Sequence, residues 1–103
     1  MGYITTVKKR DGRFAPFRKS KVTASIYEAG AASGRVDRKK ARDLADRVEQ
    51  YLRENYLPGE TLLTDSIARA VEKVADDSGE QTLAGAYAFL RKRKIEAEKL
   101  IRV

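Results

Sequence analysis

Val7-Lys8-Lys9-Arg10-Asp11-Gly12-Arg13, followed by Pro16-Phe17 and then by Lys21-Val22, is the stretch of this 103-residue chain from which the rest of its fold can be read. From Tyr3 to Phe17, β-branched or aromatic residues alternate with charged ones, and Asp11-Gly12 interrupts the alternation. Asp-Gly between two alternating runs signals a tight hairpin, and the spacing predicts a type I′ turn with positive φ at both central residues. Pro16 ends the second strand or confines it to an edge, since proline has no N–H to give a sheet ladder. A two-stranded ribbon is not stable alone, so it must lie on something.

What it lies on is helical by period. Val22, Ile26 and Ala29 form one stripe, closed by Gly30 and Gly34. Ala41, Leu44, Ala45, Val48 and Leu52 form a second, with Asp37 as the expected N-cap. The segment from Asn55 to Gly59, with Pro58, breaks that helix, and Thr61 to Leu63 can form a short third strand. Thr64, with Asp65 and Ser66 behind it, starts a third helix whose stripe is Ile67, Ala70, Val71, Val74 and Ala75, ending at Gly79. A last helix carries Leu83, Ala86, Tyr87, Leu90, Lys94 and Ile95. The expected fold is α+β: a small N-terminal hairpin plus a short third strand, lying as a lid on a four-helix bundle.

One domain fits this length, because a single core usually serves about 100 to 150 residues. The chain has no cysteine and no histidine, which removes disulfides, thiol nucleophiles, imidazole acid–base chemistry and the commonest zinc ligands. No apolar run approaches the roughly 18 residues of a membrane span, and no signal segment is evident, so the expectation is a cytoplasmic protein. The formal charge of +7 is unevenly placed: the stretch from Lys8 to Lys21 and the stretch from Arg91 to Arg102 are strongly basic, while the middle is acidic. Ends brought together by the fold would make one cationic site for an anionic partner. Lys21 stands in the first turn of the first helix, where free N–H groups and the helix dipole favour phosphate.

Taken together, the hairpin, the Pro16-Phe17 pair, Lys21-Val22 and the distal run Ala86-Tyr87-Ala88-Phe89-Leu90-Arg91-Lys92-Arg93 resemble the ATP-cone. That family is the regulatory nucleotide-binding domain of many ribonucleotide reductases and of the zinc-ribbon repressor of their genes. The resemblance runs in order from about residue 3 to residue 93, giving a cone over 1–93 and a continuation of the last helix over 94–103. It implies a ligand, ATP or dATP, with Mg²⁺ on its phosphates. By the same resemblance Val7, Lys9 and Arg10 close over the nucleotide, Phe17 lies at the adenine pocket and Lys21 binds phosphate. Thr64 and Ile67 approach the base, and Arg91 or Lys92 reaches the phosphates. Relatives often carry Asp or Asn after the Pro-Phe pair as a helix cap; here that residue is Arg18, which leaves Ser20 as the expected cap. Ala68 stands where some relatives place a polar residue.

The bland readings stay beside these. Lys8, Lys9, Arg10 and Arg13 can be a solvated tip that discourages edge pairing. Arg91 to Lys94 can simply favour the C-terminal half of a helix. Tyr87 and Leu90 share the stripe of Leu83 and read as core, and Phe17 fits core or ligand contact equally. No P-loop and no nucleophile constellation is present, so no catalytic site is expected. The partners implied are an adenine nucleotide and, through nucleotide-dependent packing, a second copy or a reductase subunit. Lacking cysteine and room for a catalytic barrel, the chain is expected to be a free-standing cone or part of a larger polypeptide. A basic nucleic-acid-binding domain is the alternative, disfavoured by the lack of a helix-turn-helix signature or a row of exposed aromatics. A ligand-free interaction module is the third.

Overall fold

A computed structural model describes residues 6–31, 34, 36–57 and 59–101; Tyr3 and Pro58 lie outside them. Strands β1 (Thr6–Lys8) and β2 (Phe14–Pro16) form the hairpin, and β3 (Leu62–Leu63) completes a sheet in the order β2-β1-β3. β1 runs antiparallel to β2 and parallel to β3, so Ala15, Val7 and Leu62 stand in one row and Phe14, Lys8 and Leu63 in the next. Side chains alternate across a strand, which sends the first row toward the helices and the second outward. Val7 and Leu62 are accordingly buried, whereas Phe14 and Leu63 are exposed. Pro16 closes the edge strand, where it costs no ladder bond.

The turn differs from the type I′ expectation. Gly12 N–H donates to the Lys9 carbonyl and Lys9 N–H donates to the Arg13 carbonyl, so Arg10, Asp11 and Gly12 form a three-residue connection. Only Gly12 takes positive φ, at 91°, and Asp11 does not. The Asp11 carboxylate instead accepts from the Arg13 backbone N–H and side chain, fixing the turn from within. The extra residue puts Arg10 at the tip, close to the start of the third helix.

Four helices follow: α1 (Lys19–Ala31), α2 (Arg38–Asn55), α3 (Thr64–Asp77) and α4 (Gln81–Ile101). They pack in a closed ring, α1 on α2, α2 on α3, α3 on α4 and α4 on α1. The core is built from the stripes read above, with Ile26, Val48, Leu52, Val71 and Leu83 among its most buried members. Asp37 caps α2 by accepting from the Lys40 N–H. Ser20 is not a cap: α1 begins one residue before it, and the Arg18 carbonyl accepts from Lys21 N–H. Gly30 does not close α1 either. It lies within the helix and is buried, directly against Val36. α3 begins at Thr64, but Leu63 holds the cap position and its side chain makes no capping hydrogen bond; the Thr64 hydroxyl donates to the Lys8 carbonyl and so ties α3 to the hairpin. Among the described residues, no helix is long and apolar enough to cross a membrane.

Candidate functional site

The hairpin, the first half of α1, the start of α3 and the middle of α4 enclose a cleft of about 240 Å³. Its position follows from the sheet: the inward row contributes Ala15 and Val7, and the three-residue turn swings Lys9 and Arg10 over the same opening. On α1, Lys21, Ser25 and Glu28 follow at steps of four and three and therefore share one face. Thr64, Ile67 and Ala68 come from the first turns of α3, and Tyr87, Leu90 and Arg91 from one face of α4. Apolar side chains make the floor, and the cations Lys9, Arg10, Arg18, Lys21 and Arg91 make the rim; Glu28 is the one carboxylate among the lining residues.

Besides the Thr64–Lys8 contact, side-chain contacts join the walls. The Arg10 guanidinium donates to the Asp65 carboxylate at 2.8 Å, linking the hairpin to α3. Arg91 donates through Nε and Nη2 to the two oxygens of Glu72, at 2.8 and 3.4 Å, linking α4 to α3. The Tyr87 and Ser25 hydroxyls lie 3.1 Å apart, linking α4 to α1, while Ser25 also donates to the Val22 carbonyl. A hydroxyl has one proton to give, so Tyr87 is the donor in the first of these. The Glu72 contact raises the Arg91 pKa above its ordinary value.

Burial pushes the Tyr87 phenol up from its ordinary value of 10.0. The neutral phenol is what the fold accommodates. Its contribution is therefore fully present below the unfolded value and is lost as the pH rises through the higher folded one. Between about pH 9 and about pH 11, denaturation midpoints of the wild-type chain should fall further than those of Tyr87→Phe; parallel pH dependences would show that the phenol contributes nothing.

Of the nine residues expected at a binding site, the structure brings eight to this cleft: Val7, Lys9, Arg10, Phe17, Lys21, Thr64, Ile67 and Arg91. Lys92 is exposed and does not line it, since the next residue on a helix is turned about 100° away. Phe17 does both things allowed for it, packing on the core and lining the cleft, and Tyr87 and Leu90 do the same rather than serving the core alone. Arg18 lines the cleft as a further cation, and Ser25 and Glu28 line it from α1, although none of the three belongs to the expected set. The last two were signalled by their helical spacing from Lys21.

A vitamin B12-dependent ribonucleoside-diphosphate reductase from Thermoplasma acidophilum is 32% identical over 99 residues, which takes in 93% of this chain and 13% of that protein. The resemblance is thus to a small part of a much longer polypeptide. The family profile described as the ATP cone domain matches from residue 5 to residue 96, taking in the hairpin, all three strands and the cleft-lining part of α4, and by that match the chain belongs to the ATP-cone family.

Proposed function

We propose that this chain binds ATP or dATP in the cleft, performs no chemistry on it, and conveys which nucleotide is present by changing how it packs on a second copy or on a ribonucleotide reductase subunit. The observation that carries the reading is the convergence of five cations, from the hairpin, the segment leading into α1, α1 itself and α4, around an apolar floor. A base prefers a flat apolar slot with a few polar groups at its edge, and a triphosphate prefers several charge-assisted donors. The cleft is slightly smaller than the roughly 300 Å³ at which pockets for whole ligands begin. It suits a buried base with phosphates lying against the open rim. Among the described residues no group of three or more acidic or other metal-ligating side chains could hold a metal ion. Mg²⁺ would therefore come held mainly by the phosphate oxygens, neutralising part of their charge.

Two nucleotides of similar affinity produce different outcomes only if each favours a different packing state. Sedimentation with ATP and with dATP should therefore give different distributions, and a monomer under every condition would remove the signalling part of the proposal. Binding itself is tested by calorimetry with ATP, dATP, GTP and a short DNA duplex at two salt concentrations. Adenine nucleotides should bind in the micromolar range, and Lys21→Ala and Lys9→Ala should each weaken them by about tenfold, the loss of one exposed charged donor. No adenine-nucleotide binding, together with duplex binding that falls steeply with salt, would put a nucleic-acid ligand in its place.

A further inference from the structure

Resting on the nucleotide reading, we propose that Asp65 and Glu72 of α3 are positioning residues that set two arginines in advance for a chain of phosphates. They are seven residues apart, two turns along one face of α3, so their carboxylates are anchored about 10 Å apart on the same side of the helix. Each holds a guanidinium from a different neighbour: Asp65 takes Arg10 from the hairpin, and Glu72 takes Arg91 from α4. Both arginines line the cleft and are only about a fifth exposed.

The geometry at Arg91 separates positioning from competition. Glu72 engages Nε and Nη2, one edge of the planar fork. Both Nη1 protons and the second Nη2 proton remain for another acceptor, and these form the end of the guanidinium best suited to a bidentate phosphate contact. Glu72 therefore does not have to be displaced for Arg91 to work. It restricts a side chain that would otherwise carry large rotamer freedom, and restricting it beforehand lowers the entropic cost of binding. Two anchor points separated by two turns serve an extended polyphosphate better than a single phosphate. The pairs thus favour triphosphates over monophosphates, a selectivity set by residues that do not touch the ligand.

The test is calorimetry on the full chain with ATP, ADP and AMP, with thermal midpoints recorded without nucleotide. Glu72→Gln should weaken ATP by about tenfold, as expected for an arginine no longer restrained, while AMP changes by less than about twofold. Asp65→Asn, at a more exposed pair, should show the same pattern at a smaller scale. In an Arg91→Ala background, Glu72→Gln should have no further effect on ATP. Unchanged or tighter ATP binding by Glu72→Gln, equal losses for ATP and AMP, or losses that add to those of Arg91→Ala would each overturn the inference. If the wild-type chain binds none of the three nucleotides, the nucleotide reading fails and takes this inference with it; ATP binding by wild type with an unaffected Glu72→Gln defeats the positioning role alone.

Discussion

Arg10→Ala should weaken ATP binding by about a hundredfold, more than Lys9→Ala or Lys21→Ala, as read by calorimetry. Arg10 is only 20% exposed, so its contacts form in a poorly hydrated setting, whereas Lys9 and Lys21 lie in solvent. The fold should hardly change. The Asp65 carboxylate left behind is 41% exposed and stays hydrated, and as the acidic residue of α3's first turn it still suits the helix dipole. An ion pair at that exposure contributes no more than about 1 kcal/mol. Arg10→Lys should recover part of the affinity, because it keeps the charge but not the planar fork. Wild-type ATP affinity in Arg10→Ala would remove the hairpin tip from the site.

Gly30→Ala should destabilise the fold by about 2 kcal/mol without touching the cleft. A Cβ at residue 30 would stand 2.5 Å from the Val36 Cβ and 2.6 Å from its Cγ2. The Val36 Cβ is fixed to the backbone, so no rotamer change relieves the overlap and the α1–α2 connection must move. Overpacking of this kind costs up to about 3 kcal/mol, and the gain of about 1 kcal/mol from replacing glycine within a helix offsets part of it. For a domain of this size the thermal midpoint should drop by about 10 °C. Val36→Ala in the same chain should restore little, because the Cβ contact survives; Val36→Gly should restore more. A midpoint equal to that of wild type would mean that the two helices are not packed as described.

Local signals account for most of what could be read from the chain. Asp11-Gly12 marked the hairpin, Asp37 marked the start of α2, and the apolar stripes named the buried faces, because each depends on neighbours within a few residues. The turn type was not legible from Asp-Gly. The connection has three residues, is held by the Asp11 carboxylate on Arg13, and carries Arg10 to Asp65, 55 residues away. Ser20 misled for a related reason: α1 starts at Lys19, and a residue already inside the helix cannot cap it. At the site, only Lys21 could be placed from its position in the opening turn of α1; Val7, Lys9, Arg10, Phe17, Thr64 and Ile67 were placed by the resemblance to the ATP-cone. Arg91 could not be chosen over Lys92, because the choice depends on how α4 is rotated against α3, where Glu72 lies 19 residues earlier. Ser25 and Tyr87, 62 residues apart, meet only once α1 has packed on α4.

The pairing of β1 with β3 has a consequence for how the molecule assembles. A strand of two residues is the only ladder in the described structure that joins the start of the chain to its second half, and it closes a long loop containing α1 and α2. Closing such a loop costs entropy that a ribbon this short cannot offset until the helices beneath it are in place. The hairpin should therefore dock late in folding and be among the first parts to open, by local detachment without global unfolding. A ligand held beneath it would enter and leave on the timescale of that detachment, and should slow hydrogen exchange in residues 6–17 far more than in the bundle.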